Sequence, residues 1–155
     1  MTPLLLVNQT LDRRHAMSDG EHGQSVDDAQ KAANDFVRDM INKARNEKKR
    51  CDAMRDLGLA MHAVQDSTSP AHHGFQPWSD KEPRNQQLDH VEKENFDPMG
   101  GSQLDKATKD VYDYFSGAKP MPDNVFIYGA DTQPPAPVQT QPSPKGITPS
   151  HPPGF

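Results

Sequence analysis

Histidine and carboxylate side chains recur in two stretches of this chain at spacings that suit metal binding. The first stretch reads LGLAMHAVQDSTSPAH and contains His62, Asp66 and His72. The second reads HVEKE and contains His90 and Glu94. Residues four apart lie on one face of a helix, so His62 and Asp66 can face a single metal ion. The order His, Asp, His, His, Glu therefore predicts a metal-ligand series.

The first pair lies on a predicted helix that runs from about Asp52 to Asp66. The apolar stripe of this helix is formed by Met54, Leu57, Met61 and Val64. Gly58 lies inside it and would normally cost about 1 kcal/mol relative to Ala, which suggests a close helix crossing there. Ser67–Pro70 breaks the helix, so His72 follows on an irregular segment.

Each of these side chains also has an ordinary structural interpretation. A lone His at the edge of a core is usually a hydrogen-bonded packing residue. His90 and Glu94 alone would be an i,i+4 ion pair on a solvated helix surface. The metal interpretation is favoured because all the elements occur together and in order.

The series resembles the zinc-dependent phospholipase C and S1/P1 nuclease family. The signature of that family is a helix with HxxxD, a Pro-x-His after the helix break, and a later helix with HxxxE or HxxxD. Here these are His62 to Asp66, Pro70 to His72, and His90 to Glu94, and the resemblance spans roughly residues 25–95. It implies a phosphodiester hydrolase in which zinc-activated water attacks phosphorus.

The resemblance also implies zinc as the cofactor, with two ions that have three protein ligands each. One set comprises His62, Asp66 and an upstream His, for which His15 in RRHAM and His22 in DGEHG both compete. His15 is slightly favoured because Ala16 and Met17 give it an apolar neighbourhood.

The other implied ligand set is His72, His90 and Glu94. Asp66 is counted among the catalytic residues as well as the ligands, and Asp12 or Asp19 is expected to orient the attacking water. Members of the family begin with a Trp that helps to hold a third ion; this chain begins with Met1.

Apolar periodicity predicts an all-α fold, a small bundle of about four helices around the metal site. The first helix begins after Ser25 and ends near Arg45, the third spans residues 85–96 with Leu88 and Val91 facing inward, and the fourth runs from Ser102 to Gly117. Residues 1–24 form an irregular N-terminal segment and residues 25–130 the hydrolase domain. Eight of the 15 prolines fall in residues 131–155, which predicts a disordered tail.

Composition limits the choice of substrate and cellular context. The net charge of −5 argues against binding of nucleic acid through a simple positively charged surface. The only cysteine is Cys51, so no internal disulfide forms, and the apolar run Leu4–Val7 is too short for a signal peptide or a membrane span.

Short forms of the family resemble the C-terminal toxin domains of bacterial Rhs-type polymorphic toxins. That resemblance implies delivery into a target cell as part of a larger protein, and a cognate immunity protein as partner.

Three functions compete on these observations. The first is a phospholipase C-like enzyme that contacts a membrane surface, because LGLAMH is closer to that branch of the family. The second is a single-strand nuclease in which Phe75 or Trp78 stacks a base. The third is a non-enzymatic helical module whose His and acidic residues are structural and whose Pro-rich tail binds a partner.

Overall fold

The computed structural model describes residues 13–79, 81, 83–94 and 101–132. Over these ranges the chain forms four helices and two strands of two residues each, which confirms the all-α prediction. The elements are β1 (Ser18–Asp19), α1 (Val26–Asn46), α2 (Arg50–Asp66), β2 (Pro77–Trp78), α3 (Arg84–Glu94) and α4 (Gln103–Ser116). Most of the predicted tail, from residue 133 onward, lies outside the described residues.

The core is built by three of the helices. Helices α1 and α2 pack against each other along their length, and α4 packs against both. Their shared interior is filled by small and β-branched side chains, among them Val37, Ile41, Ala60, Val64 and Val111. None of the described helices is long and apolar enough to cross a membrane.

The predicted helix ends are confirmed at α1 and α4. The Oγ atoms of Ser25 and Ser102 accept hydrogen bonds from backbone N–H groups three residues on, at 3.1 Å in each case. Gly117 ends α4 in the left-handed conformation at φ 79°, which glycine adopts without a steric penalty. Local chemistry therefore sets these ends.

Three side chains that were expected to face the core are exposed. Met54 on α2 is 44% exposed, and Leu88 and Val91 on α3 are 60% and 48% exposed. The prediction for α3 was wrong because this helix contributes no residue to the buried core cluster within the described part of the chain.

Gly58, in the middle of α2, does not mark a helix crossing. A Cβ atom added at this position would have no neighbouring heavy atom within 4 Å, so the predicted close approach is wrong. Gly58→Ala should therefore raise the free energy of unfolding by about 0.5–1 kcal/mol, because alanine loses less backbone entropy in a helix. Urea unfolding followed by circular dichroism measures this change, and a lower stability would contradict it.

The segment after α4 returns across the bundle. Val125, Phe126 and Tyr128 are buried, and the Asn34 side chain accepts a hydrogen bond from the Val125 backbone N–H at 2.8 Å. The Tyr128 hydroxyl donates to Asp110 at 2.9 Å. Burial raises the pKa of Tyr128 strongly, and the hydrogen bond to Asp110 raises it further. The return segment is therefore held by both apolar and polar contacts.

Asp131, the first residue of the predicted tail, is part of the folded domain. It is 9% exposed, and its carboxylate accepts hydrogen bonds from the backbone N–H groups of Gln103 at 2.7 Å and Leu104 at 2.9 Å. Its own N–H donates to the Thr68 carbonyl at 2.8 Å. One residue thus caps α4 and ties it to the loop that follows Asp66.

We expect Asp131→Ala to lower the free energy of unfolding by about 1–3 kcal/mol, since it leaves two N–H groups at the start of α4 without their acceptor. Asp123→Ala is the matched control. The Asp123 side chain is fully exposed, and its carboxylate lies 3.6 Å from the Arg38 guanidinium, farther than a hydrogen bond of normal length. The control should change stability by less than about 0.5 kcal/mol. Equal effects of the two substitutions in urea unfolding would argue against the capping role.

Candidate metal centre

Three ligand atoms converge at the C-terminal end of α2. His15 Nδ1 lies 3.0 Å from Asp66 Oδ2 and 3.2 Å from His62 Nε2. His62 Nε2 lies 3.4 Å from Asp66 Oδ2, which closes the triangle. Of the two candidates for the upstream His, His15 is therefore the one that lies beside His62 and Asp66. These three residues are the one group of three or more such ligands found among the described residues.

The triangle has the dimensions of a metal site. Two atoms bound to one tetrahedral zinc at about 2.0–2.1 Å lie about 3.3–3.4 Å apart, close to all three observed separations. Two imidazole nitrogens and one carboxylate oxygen also match the ligand set of catalytic zinc, which keeps a fourth position open.

Hydrogen bonding alone satisfies the triangle poorly. His15 Nδ1 faces both the Asp66 carboxylate and His62 Nε2, yet it carries at most one proton. No placement of protons on two neutral rings makes all three contacts hydrogen bonds. A cation at the centre of the triangle would accept all three lone pairs at once.

The two sides of the site come from different local structures. His62 and Asp66 are one turn apart on α2, so the helix itself sets their separation. His15 comes from a tight turn before β1, in which Ala16 is fully buried and has a positive φ of 51°. Non-glycine residues adopt this conformation rarely, and residues that do so cluster at functional sites. This buried turn fixes the backbone at His15. The His15 side chain then contacts His62 and Asp66 of α2.

His72 is anchored directly behind this turn. It is 2% exposed, and its Nδ1 donates a hydrogen bond to the backbone carbonyl of His15. This contact places the proton on Nδ1 and the lone pair on Nε2, which is the usual arrangement of a metal-binding His. The backbone carbonyl of His15 thus orients the ring of His72, and both residues are predicted metal ligands.

The predicted second set, His72, His90 and Glu94, is described only in part. The rings of His72 and His90 have centroids 4.9 Å apart, so the structure brings these two residues together. Glu94 follows His90 by one turn on α3, but its side chain is outside the described part of the structure. The second ion therefore stays a prediction.

A cleft of about 190 Å³ opens beside His90. Trp78 lines it and has its ring centroid 4.4 Å from that of His90, while Gln76, Gln86, Asp89 and Lys93 provide polar walls. Phe75, the other aromatic candidate for substrate contact, is buried against Phe126 with ring centroids 5.1 Å apart. Trp78 is thus the one of these two aromatic side chains that lines the cleft.

Asp19 and His22 form a separate pair on the loop after β1. The Asp19 carboxylate is 3% exposed and accepts hydrogen bonds from the backbone N–H groups of Glu21 and His22, both at 3.0 Å. Its second oxygen binds His22 Nδ1 at 2.6 Å. Hydrogen bonds from Lys81 and Ser79 lower the pKa of Glu21 on the same loop. The Asp19 carboxylate thus holds this loop through hydrogen bonds. Asp12, the other residue expected to orient the attacking water, lies outside the described residues.

The pairing of β1 with β2 was not anticipated from the sequence. Ser18 is opposite Pro77 and Asp19 is opposite Trp78 in a parallel arrangement. Gly20 N–H then donates to the Trp78 carbonyl at 2.9 Å, and a Cβ atom on Gly20 would lie 2.8 Å from that oxygen. The glycine in DGEHG was the one available signal, since only glycine permits this approach.

No family model, curated protein or solved structure matches this chain. The resemblance to the zinc-dependent phospholipase C and nuclease family therefore rests on the motif residues.

Proposed function

We propose that the protein is a zinc-dependent phosphodiester hydrolase of the phospholipase C-like type. The observation that carries this proposal is the triangle of ligand atoms from His15, His62 and Asp66, with sides of 3.0, 3.2 and 3.4 Å. Three protein ligands suit an ion that keeps a position open for chemistry.

The residues of the chain have distinct roles in this proposal. His15, His62 and Asp66 would hold the ion, and the His15 carbonyl orients His72 toward the same region. A bound zinc ion supplies Lewis acidity and activates water for attack on phosphorus at neutral pH. Trp78 and the polar walls of the cleft bind and orient the group attached to the phosphate. A second ion, at His72, His90 and Glu94, is part of the proposal.

A phospholipid is the substrate that the surface beside the cleft favours. Leu88 and Val91 lie three positions apart on α3 and are both exposed, and α3 also carries His90. Apolar side chains on an exposed helix face suit contact with a lipid surface. The net charge of −5 gives no general attraction for a nucleic-acid polyanion.

A single-strand nuclease is the second candidate, and Trp78 is the observation that favours it. A half-buried indole that lines the cleft beside His90 can stack a base of any identity, a contact worth about 1–3 kcal/mol in single-strand binding proteins. Because the same metal chemistry serves both substrates, only the leaving group differs.

Activity assays separate these functions. The wild-type chain, His62→Ala and the control His73→Ala should each be incubated with phosphatidylcholine vesicles and with single-stranded DNA in added zinc. His73 is exposed, and its ring contacts the Ser67 carbonyl rather than the triangle. We expect hydrolysis of phosphatidylcholine by the wild type and the control and a loss of at least about 100-fold in His62→Ala. DNA cleavage alone would favour the nuclease, and no zinc-dependent activity would favour the non-enzymatic module.

A further inference from the structure

Arg13 and Arg14 form an arginine pair immediately before His15. Their guanidinium carbons lie 5.4 and 5.9 Å from the centroid of the Phe36 ring, so both cations rest on one aromatic side chain. The Nε atoms of both arginines are buried and have no hydrogen-bond partner. Two partly desolvated cations are therefore held close to one ring and next to a proposed metal ligand.

What sets Arg13 and Arg14 apart from the other cations of the described residues is that each has a buried Nε atom without a hydrogen-bond partner. Carboxylates pair with Lys31, Arg38, Lys43, Arg55, Lys81, Lys93, Lys109 and Lys119. Within the same part of the chain no carboxylate pairs with the arginine pair, although the sequence contains 22 acidic residues. The shared Phe36 ring compensates little, since a cation–π contact is worth about 0.5–2 kcal/mol.

An anion is the partner that these two cations lack. A buried N–H group without an acceptor costs free energy, and an oxyanion that accepts hydrogen bonds from the arginines would offset that cost. The planar fork of Arg matches the oxygens of phosphate better than the ammonium of Lys does. Arg14 directly precedes His15 in the chain, so the arginine pair is close in sequence to a proposed metal ligand.

We infer that Arg13 and Arg14, which immediately precede the proposed metal ligand His15, form a binding site for a phosphate group. Its role in holding the phosphate of a substrate rests on the proposed hydrolase function. Its ability to bind phosphate does not, because the arginines are charged whether or not zinc is present. The phosphate group can belong to a lipid headgroup or to a nucleotide.

Calorimetric titration of the full chain with inorganic phosphate, at constant ionic strength, tests this site. The variant carries Arg13→Gln with Arg14→Gln. The control carries Arg50→Gln with Arg84→Gln, which makes the same change in net charge at two exposed positions. We expect saturable binding by the wild type and the control, and at least tenfold weaker binding by the variant. Phosphate bound only at zinc would be retained by both double variants. Equal phosphate binding by the arginine-pair variant and the control would therefore overturn the inference. A wild-type chain without saturable phosphate binding would also overturn it.

If circular dichroism shows that the variant with Arg13→Gln and Arg14→Gln does not fold, a second variant provides the test. Arg13→Lys with Arg14→Lys retains both charges and both aliphatic stems but lacks the planar fork. A dissociation constant for phosphate at least threefold weaker than that of the wild type is then expected, and an unchanged one would overturn the site.

Titration with phosphocholine and with thymidine monophosphate distinguishes the two sources of phosphate. Tighter binding of phosphocholine than of inorganic phosphate assigns the site to lipid headgroups. Tighter binding of the nucleotide assigns it to nucleic acid, and equal affinities assign it to the phosphate group itself. Where phosphocholine or the nucleotide binds more tightly than inorganic phosphate, this gain should disappear in the arginine variant, and a gain that persists there would contradict the assignment.

Discussion

Replacing His62 by alanine should abolish the stabilisation of the protein by zinc. Zinc bound to the folded chain raises the free energy of unfolding by about 2.7 kcal/mol when free zinc is 100 times the dissociation constant. His62 contributes one of three ligand atoms that lie 3.0–3.4 Å apart, so its loss leaves two ligands on the same ion. Thermal unfolding by circular dichroism over a series of zinc concentrations measures the effect.

His73→Ala is the control for this experiment. The substitution removes a neighbouring imidazole from the same region of the chain without touching the triangle, since His73 contacts the Ser67 carbonyl at 3.3 Å. It should leave the zinc-dependent rise in melting temperature unchanged. If His62→Ala and His73→Ala respond to zinc as the wild type does, the ion is not bound by the triangle.

Replacing Gly20 by alanine should destabilise the fold and disturb the cleft together. An added Cβ would lie 2.8 Å from the Trp78 carbonyl oxygen, so β1 and β2 must separate or distort. Forcing extra atoms into packed structure costs about 1–3 kcal/mol. Because the same backbone positions the Trp78 ring against His90, a displacement of about 1 Å should also lower the proposed hydrolytic activity, by up to about 100-fold.

Two signals report this change separately. Trp78 is the only tryptophan in the chain, so its fluorescence reports the cleft, while urea unfolding by circular dichroism reports the fold. Gly129→Ala is the matched control, since an added Cβ there has no heavy atom within 4 Å. The control should retain both wild-type fluorescence and wild-type stability. A Gly20→Ala variant that also retains them would show that the strand pairing does not depend on this glycine.

The parts of the fold that depend on local chemistry could be predicted from the sequence. Ser25, Ser102 and Gly117 mark helix ends through hydrogen bonds and backbone conformations that involve only nearby residues. The i,i+4 spacing of His62 and Asp66 likewise follows from the helix. These features need no knowledge of how distant segments meet.

The parts that depend on distant contacts could not be predicted. Leu88 and Val91 are exposed because α3 lies outside the core, and a short amphipathic pattern does not show which partner a helix has. The pairing of Asp19 with Trp78 joins segments far apart in the chain through strands too short to show alternation. For the same reason the sequence left His15 and His22 as alternatives, and their surroundings distinguish them only in three dimensions.

The most direct test of the proposed metal centre is the zinc content of the purified chain. Elemental analysis should compare the wild type with His15→Ala and His22→Ala, because His15 lies in the triangle and His22 is bound to Asp19. We predict that His15→Ala contains about one zinc ion fewer per chain than the wild type and that His22→Ala contains the wild-type amount. A folded wild-type chain that contains no zinc and takes up none when zinc is added would contradict the account.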